Sequence, residues 1–530
     1  MALNFNGNTP KKIFYNTAKV SKVIYNNVVV WMSKVLTTIT GNTPIRLVNA
    51  TEDNLVEATI QGVCTQASTP TPSVPVDIEC NNGIIKVSKN LCNVISENIV
   101  VGKYINNSGV VTADVNNFYY SLYIPVISGE TYTMKTSQSI WYFNIEEYDS
   151  SQTFLRRDLW GATNTPAGTS TTFTVGADCY YIRFGSNMTK SSLTEENVLS
   201  VDWMLTKGST AETYRPYNSW WIDGTQEVLT LNGKNQFNVS VAPVEQGNIS
   251  STTGENTNST TRCRTKERFP VSPNTQYTLS CVIENFTPGS SKGVFVYQYL
   301  SDGTWTTSGW KDPSGFTFTT NALTESIRVV FAYVNAGSPT TPEMISNVQL
   351  EYGDTATSYE AYITPQTATV ENLFGYGSYN DTQDIISGNI KQNMGVIIFN
   401  GSDDENWSRL GTNIFQIAIA GKVKGKIPML SSQYSYTSLN SSNISSGEFG
   451  CAASTRTTYF KNNLYDTVDD FKNYLHTQYA NGTPVYVVYP LETTISKSVT
   501  TQTLTANEGT NVISSNKGVR DIEVKYYRTQ

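Results

Sequence analysis

The chain has 530 residues, of which 12% are aromatic and only 15% are charged, and its formal net charge is −7. At roughly 100–200 residues per domain, this length predicts three to five domains. A net negative charge without a block of Lys or Arg argues against nucleic acid and anionic lipid as partners. Membrane insertion is not predicted either, because no segment approaches the roughly 20 apolar residues that would span a bilayer. Abundant Ser, Thr, Asn and aromatic residues favour strands and turns, so we predict an all-β, multidomain protein.

We predict that residues 1–36 form a β-hairpin arm, in which Val23–Tyr25 and Val28–Trp31 are joined by an Asn-Asn turn. A lone hairpin is not stable in water, so we expect the arm to dock. Its two alternative docking partners are the rest of this chain and a neighbouring subunit. Residues 37–80 predict a small β region that ends in the extended, Pro-rich connector Thr69–Pro75.

A constant offset of 145 residues relates two segments of the chain, since Tyr132 recurs as Tyr277 (277 − 132) and Ile182 as Ile327. Further residues obey the same offset: Lys89, Asn90, Asn93, Phe173, Arg183, Gly208, Tyr214 and Tyr217 recur as Lys234, Asn235, Asn238, Phe318, Arg328, Gly353, Tyr359 and Tyr362. We infer a duplicated domain. Short strands between Gly, Ser, Asn and Pro predict two tandem jelly rolls or β-sandwiches, over residues 81–220 and 221–365.

Residues 366–530 predict a C-terminal β-rich domain with one short helix near residues 467–480. An apolar stripe and a capping box indicate this helix. The stripe consists of Val468, Phe471, Leu475 and Tyr479, and the box of Thr467 and Asp470. Seven cysteines without CxxC spacing predict buried, reduced thiols rather than a metal site. They are Cys64, Cys80, Cys92, Cys179, Cys263, Cys281 and Cys451.

Several segments resemble minor tail proteins of phages and prophages of Gram-positive bacteria. They are Gln61–Ile78, Asp381–Gly395, Asn400–Trp407, Val468–Tyr489 and Glu523–Tyr527. The ends of the two repeats, Leu205–Tyr217 and Gln349–Tyr362, are similar to the terminal strand of galactose-binding-like jelly rolls, which include carbohydrate-binding modules.

The resemblance implies a virion structural protein of the distal tail, in a fibre or baseplate, that attaches to a host-surface glycan. It also implies a homo-oligomer, with a trimer as the expected state, and contacts between the N-terminal region and other tail proteins. Residues 1–7 lack the basic and apolar regions of a secretory signal, as expected for a virion assembled in the host cytoplasm. The alternatives are a purely structural tail or capsid decoration protein, a glycan-degrading tail enzyme and a bacterial surface lectin.

An enzymatic role is not predicted. Glycan hydrolysis needs two carboxylates that face each other across a cleft. The candidate groups are Glu146-Glu147, Glu195-Glu196 and Asp403-Asp404-Glu405. Neighbouring residues on a strand point to opposite faces, so we interpret these groups as solvated loop charge. The single histidine, His476, has no GxSxG signature to accompany it, and we assign it to the surface or to packing.

Exposed aromatic rings are the candidate glycan-binding residues, because a ring can stack on the apolar face of a sugar. They are Trp141, Tyr142 and Trp160 in the first repeat, and Tyr299, Trp305 and Trp310 in the second. The alternative is that these rings cap the sandwich or pack between protomers. No cofactor is predicted. Calcium is compatible with such jelly rolls, but the sequence does not identify ligands for it.

Overall fold

The computed structural model describes residues 13–15, 18–20, 22–25, 28–32, 34–42, 45–50, 55–160, 166–188, 193–288, 292–333, 339–419, 427–452, 455–498, 504–507, 509–517 and 521–529. In these residues strands dominate, and the predicted all-β, multidomain fold is confirmed. The α-helices of the described residues are Glu195–Leu199 and Val468–Ala480, and the 3-10 turns are Ser96–Asn98, Pro342–Met344 and Ser441–Asn443.

The first repeat forms a sandwich of two sheets, which we call the first sandwich. Its larger sheet has the strand order Ile99–Ile105, Val111–Tyr120, Tyr181–Asn187, Tyr142–Tyr148 and Phe154–Trp160, with Ile124–Pro125 also paired to Tyr181–Asn187. Its smaller sheet has the order Ser170–Thr174, Thr131–Thr136 and Trp203–Lys207. Phe118, Tyr132, Phe143 and Trp203 are buried between the two sheets.

The second repeat forms a sandwich with the same strand order, which we call the second sandwich. Its larger sheet runs Val244–Gln246, Cys263–Thr265, Thr324–Ala332, Gly293–Leu300 and Trp305–Lys311, with Phe269–Pro270 also paired to Thr324–Ala332. Its smaller sheet runs Phe316–Thr319, Gln276–Ile283 and Ile345–Tyr352. A short hairpin of Asn248–Ile249 and Asn256–Thr257 belongs to the same repeat.

The two sandwiches repeat individual contacts as well as strands. The Asn90 side-chain amide donates to the carbonyl of Trp203 at 2.8 Å, and the Asn235 amide donates to the carbonyl of Val348 at 3.0 Å. Each asparagine oxygen accepts a hydrogen bond of 3.1 Å from the closing strand, from the backbone N–H of Leu205 or Leu350. In each sandwich, one buried amide therefore holds the last strand to the segment that precedes the first strand.

The remaining strands form sheets that combine distant parts of the chain. The seven-stranded sheet has the order Leu430–Ser431, Val485–Ser498, Asn389–Phe399, Thr382–Asp384, Leu55–Gln61, Asp521–Thr529 and Lys34–Asn42. A five-stranded sheet runs Ser408–Gly411, Ile414–Ala418, Thr457–Lys461, Glu448–Cys451 and Ser435–Tyr436. Two four-stranded sheets run Gln366–Thr369, Val228–Gly233, Gly509–Ser515, Ile45–Ala50 and Trp220–Asp223, Gly83–Val87, Glu79–Cys80, Cys64–Thr65.

These sheets cross the boundaries predicted from the sequence. Strands of the predicted small β region, residues 37–80, pair with strands of residues 366–530. Val228–Gly233, at the start of the predicted second repeat, pairs with Gly509–Ser515. The division of the chain into consecutive domains did not anticipate these pairings, because strand pairing depends on spatial proximity rather than on order along the chain.

The described strands near the N-terminus are antiparallel pairs. Lys22–Tyr25 pairs with Val28–Met32, and Ile13–Tyr15 pairs with Ala18–Val20. A further two-stranded pair is formed by Gly375–Tyr376 and Tyr379–Asn380. The predicted turn residues Asn26 and Asn27 lie outside the described residues.

The second helix, Val468–Ala480, begins directly after its predicted capping residue: the Thr467 hydroxyl accepts a hydrogen bond of 3.1 Å from the backbone N–H of Asp470. Phe471 and Leu475 are buried on its inner face. Tyr479 joins the helix to the first sandwich, where its hydroxyl donates to the carbonyl of Asn90 at 3.1 Å. Within the described residues, neither α-helix combines the length and the hydrophobicity of a membrane span.

Candidate ligand-binding face of the second sandwich

The outer face of the larger sheet of the second sandwich collects aromatic side chains. Along Gly293–Leu300, Val294 and Val296 enter the core, while Phe295, Tyr297 and Tyr299 belong to a separate cluster on the opposite face. This follows from the two-residue period of a strand. Trp305 and Trp310, on the neighbouring strand, are half-buried against the same cluster. The structure therefore brings together the three aromatic residues predicted in the second repeat.

Tyr299 is not an exposed ring as predicted, because only 4% of its surface is accessible. The hairpin of Asn248–Ile249 and Asn256–Thr257 covers this face, and the Tyr299 hydroxyl donates to the carbonyl of Gly254 in its turn at 3.0 Å. The Arg268 guanidinium lies 3.7 Å from the centre of the Tyr299 ring. Tyr299 is therefore a buried residue that packs beneath the site, and its ring is not available to stack on a sugar.

Trp305 and Trp310 have different surroundings. Trp305 lies directly opposite Tyr299 across the strand pair, and a Cβ placed on Gly254 would come within 3.0 Å of its indole ring. One face of Trp305 is therefore covered by this glycine. Trp310 packs edge-on against Phe295, with ring centres 5.3 Å apart, and has the cationic groups of Arg262 and Lys292 at 5.3 and 5.0 Å from its ring.

The contact between Trp305 and Gly254 has a counterpart in the first sandwich. Phe154 lies directly opposite Tyr148, and a Cβ on Gly109 would come within 2.5 Å of the Phe154 ring. Gly109 and Gly254 are 145 residues apart (254 − 109), whereas Tyr148 and Tyr299 are 151 apart (299 − 148). The middle of the repeat is therefore out of register in sequence but equivalent in structure.

A polar pocket of about 540 Å³ lies beside the aromatic cluster. Four cationic side chains line it, those of Arg264, Lys266, Arg268 and Arg328. Glu245, Glu255 and Glu267 also line it, so the cations outnumber the carboxylates by one. Lys266 and Arg268 are exposed at the rim, whereas Arg264 and Arg328 are 9% and 6% exposed.

The two buried arginines differ in how their charge is balanced. Arg264 forms an ion pair of 2.8 Å with Glu245. Arg328 instead donates to neutral oxygens, those of Thr265 at 3.0 Å, Lys266 at 2.8 Å and Asn256 at 2.7 Å. Burial lowers the pKa of the Arg328 guanidinium and neighbouring Arg264 lowers it further, whereas Tyr299 and the charge of Glu245 raise it. A guanidinium held by neutral acceptors keeps its positive field, which favours an anion nearby.

The first sandwich has a different surface at the equivalent positions. Tyr119, Ser121 and Tyr123 stand where the second sandwich has Arg264, Lys266 and Arg268. The Arg183 guanidinium lies 4.9 and 5.1 Å from the rings of Tyr119 and Tyr123. Exposed apolar residues replace the acidic and amide groups of the pocket: Val110, Val111 and Leu122 stand in place of Glu255, Asn256 and Glu267. The charged pocket is therefore specific to the second repeat.

The three aromatic candidates of the first repeat lie in different settings, as far as the structure describes them. Trp141 is 41% exposed. Tyr142 is half-buried, and its hydroxyl lies 3.4 Å from the amide oxygen of Asn117. The backbone of Trp160 pairs with Phe143 at the edge of the sheet, and its side chain lies outside the described residues.

Glu146 and Glu147 are not solvated loop charges as predicted, because both are buried in the strand Tyr142–Tyr148. Arg157 lies 3.3 Å from Glu146, and Arg156 pairs with Glu147. Burial raises the pKa of Glu146 to about 8, and the charge of Arg157 offsets part of that rise. Each carboxyl group contacts its own arginine, so the doublet makes two separate structural contacts rather than a facing pair.

Of the other acidic groups, most are exposed to solvent and one is held by hydrogen bonds within a loop. Glu195 and Glu196 are exposed in the first turn of their helix, and Asp403 and Asp404 are exposed in a loop. Glu405 was also predicted to be solvated, but its carboxylate binds the loop itself. It accepts hydrogen bonds from the backbone of Asn400 and Gly401 at 2.7 and 2.9 Å and from the Trp407 indole at 2.8 Å. The prediction was wrong for this residue, because sequence does not show how a loop folds back on a carboxylate.

His476 lies in the interface between the second helix and the first sandwich, which agrees with a packing role. It is 6% exposed and lines a cavity of about 570 Å³, together with Tyr180, Asp403 and Lys472. Burial lowers the pKa of His476 to about 4, although the backbone oxygens of Pro125 and Asn400 favour the charged form. Among the described residues, no group of three or more His, Cys, Asp or Glu side chains is arranged to hold a metal ion.

Comparisons with known proteins leave the family of this chain open. No protein-family profile and no curated protein matches it. A mutant of oxalate decarboxylase from Bacillus subtilis is 10% identical, over 50% of this chain and 80% of that chain, with a TM-score of 0.11. The structure of infectious bursal disease virus, Gx strain, is 8% identical, over 94% of this chain and 85% of that chain, with a TM-score of 0.12. At such TM-scores neither likeness carries an argument about function.

Proposed function

We propose that the chain is a structural protein of a phage virion, located in the distal tail, and that its second sandwich binds a glycan of the host surface. The observation that carries the binding role is the outer face of the second sandwich, where half-buried aromatic rings adjoin a cationic pocket. Aromatic faces and charged or amide groups are the elements that hold a sugar. The resemblance to tail proteins of Gram-positive phages supports the place in the virion.

The chemistry of the pocket favours a glycan that carries an acidic group. Lys266 and Arg268 at the rim can bind a carboxylate or a phosphate, and the field of Arg328 favours the same charge. Exposed Glu255 and Glu267 can accept hydrogen bonds from sugar hydroxyls. Trp310, with its two neighbouring cations, supplies a ring at the edge of the cluster.

A purely structural tail or capsid protein is the second candidate. The observation that favours it is the repeated packing of an aromatic ring on a glycine, Phe154 on Gly109 and Trp305 on Gly254, which gives Trp305 a role within the fold. In that case the second sandwich would bind other virion proteins and no sugar.

The first experiment is a binding assay with fluorescently labelled full-length protein and a panel of intact Gram-positive cells. The same cells are also used after periodate oxidation, which cleaves the vicinal diols of surface sugars. Binding to intact cells that disappears after oxidation is the expected result. Absence of binding to every strain at saturating concentration would contradict attachment and support the structural candidate.

The repeat itself supplies the variants for a second experiment. Lys266→Ser with Arg268→Tyr places the residues of the first sandwich in the second, and we expect about tenfold weaker cell binding, or ~1.4 kcal/mol. Trp310→Ala tests the ring. Leu464→Ser, at a residue that is 78% exposed on the C-terminal part, is the control and should bind like the wild type. Unchanged binding by both the Lys266→Ser, Arg268→Tyr variant and the Trp310→Ala variant would exclude this face as the glycan site.

A further inference from the structure

Two of the seven cysteines face each other across a pair of strands. Cys64, on Cys64–Thr65, lies directly opposite Cys80, on Glu79–Cys80, in antiparallel register. Both side chains enter the same hydrophobic core, with 3% and 6% of their surface exposed. No other two cysteines of the described strands stand opposite each other, since Cys263 pairs with Gln246 and Phe331, and Cys451 with Thr458.

The register of this pair satisfies the geometry of a disulfide. Directly opposite residues of antiparallel strands have Cα atoms about 4.5 or 5.5 Å apart, depending on their hydrogen-bonding class. Both values lie within the roughly 4.4–6.8 Å over which disulfides form. The two side chains also share one face of the sheet. The Cys80 thiol is within hydrogen-bonding reach of the Cys64 thiol, which together with burial raises the pKa of Cys80.

The pair encloses the Pro-rich segment, which is fixed to the rest of the molecule at several points. The Gln66 side chain donates to the carbonyl of Ser431 at 2.9 Å, and the backbone N–H of Val76 donates to Ser432 at 2.8 Å. Cys64–Thr65 is the edge strand of its sheet and only two residues long. Local opening of such a short edge strand would give an oxidant access to thiols that are otherwise buried.

We propose that Cys64 and Cys80 are a site of oxidative modification, at which a low-molecular-weight disulfide such as oxidised glutathione converts the two thiols into one disulfide bond. One cysteine thiolate attacks the glutathione disulfide and forms a mixed disulfide, releasing one glutathione thiol. The second cysteine thiolate then displaces the other glutathione. The two cysteines lose two electrons and two protons, and two molecules of reduced glutathione are formed.

The bond ties both ends of the Pro-rich segment to one another. It removes the local opening of the edge strand, and it restricts the unfolded chain by closing a loop. The oxidised protein is therefore expected to unfold at a higher temperature than the reduced protein, and dithiothreitol should reverse the shift. The five other cysteines are buried, none of them lies opposite another cysteine in the described strand pairs, and they should stay reduced.

The test uses the folded full-length protein with oxidised glutathione at mildly alkaline pH. Unreacted thiols are then alkylated in denaturant, and the chain is digested with trypsin. Cys64 and Cys80 lie in one tryptic peptide, residues 47–86, which contains no other cysteine. We expect this peptide to be two hydrogen atoms lighter than its reduced form and to resist alkylation.

Two variants and one control complete the test. In Cys64→Ser and Cys80→Ser the remaining thiol should be alkylated or should carry one glutathione, whereas Cys451→Ser should form the bond like the wild type. A wild-type peptide that still takes two alkyl groups after exhaustive oxidation of the folded protein would overturn the proposal. So would a bond from Cys64 or Cys80 to another cysteine. Since the readout is a mass, it is independent of cell binding.

Discussion

At the scale of single residues, burial gives several polar side chains a role that their sequence neighbours do not reveal. His476 is the only histidine of the chain. It lies on the face of the second helix that packs against the first sandwich. Asp403, Asp469 and Lys472 line the same cavity as His476. Removing its ring from water disfavours the charged form more than the backbone oxygens of Pro125 and Asn400 favour it. The interface is therefore built around a neutral imidazole.

This predicts a pH dependence of stability. The pKa of His476 is about 4 in the folded protein and about 6.5 in the unfolded chain, so between these values the unfolded chain binds more protons. The stabilisation from this residue is complete above about pH 6.5 and is lost as the pH falls towards 4, by about 3 kcal/mol in all. Urea unfolding at pH 7 and pH 5 should show a larger loss for the wild type than for His476→Leu.

The comparison with the variant removes the contribution of all other groups, because both proteins contain them. A direct measurement is also available, because a single histidine gives a single set of imidazole C–H signals by NMR. These should remain those of the neutral ring at pH 5.5. A titration midpoint near 6.5 in the folded protein would contradict the prediction.

At the scale of elements, one hairpin turn of each sandwich packs on an aromatic ring of the larger sheet. In the first sandwich the turn joins Ile99–Ile105 to Val111–Tyr120, and in the second it joins Asn248–Ile249 to Asn256–Thr257. Each contains a glycine with positive φ, +75° at Gly109 and +69° at Gly254, against which an aromatic ring packs. The glycine is needed for its backbone conformation and also for space, because a Cβ would touch Phe154 or Trp305. The hairpin, the ring and the neighbouring tyrosine therefore form one unit in each repeat.

Substitution by alanine separates these two requirements. Gly102 and Gly303 also have positive φ, but a Cβ at either would meet no atom of the described residues within 4 Å, so Gly102→Ala and Gly303→Ala are matched controls. The controls should lose roughly 1–2 kcal/mol from backbone strain. Gly109→Ala and Gly254→Ala should lose roughly 1–3 kcal/mol more from overpacking. Denaturant unfolding measures the loss, and equal losses in all four variants would show that space is not limiting.

At the scale of the whole molecule, the two sandwiches are attached differently. The core of the first is continuous with residues of the C-terminal part, including Phe374, Met394 and Tyr486. Among the described residues, the core of the second is formed by its own repeat, from Phe237 to Leu350. The first sandwich should therefore unfold together with the C-terminal part, and the second as a separate unit.

Two equivalent core residues test this. Met134 and Leu279 are 145 residues apart, and both are buried. Calorimetry of the wild type should show more than one transition. Leu279→Ala, which costs roughly 2–5 kcal/mol, should lower only the transition of the second sandwich, and Met134→Ala only that of the rest. One transition that both variants shift equally would mean that the chain unfolds as a single body.

Much of the fold follows from local patterns in the sequence. Strand composition predicts the all-β class, the 145-residue offset predicts two related units, and Thr467 with the apolar stripe predicts the second helix. These features depend on a few neighbouring residues or on duplication, and both are visible without coordinates. The sequence also drew attention to Trp305 and Trp310, because turn residues surround them, and the structure places both rings in one cluster.

Only the tertiary structure decided which of these side chains meet solvent. Tyr299 is covered by a hairpin that lies about 50 residues earlier in the chain, and Glu146 and Glu147 are buried against arginines of the next strand. Likewise, the facing of Cys64 and Cys80 and the sheets that join residues 34–61 to residues 382–529 depend on strand register and distant pairing. Burial and register are set by segments far apart in sequence, so no local pattern contains them.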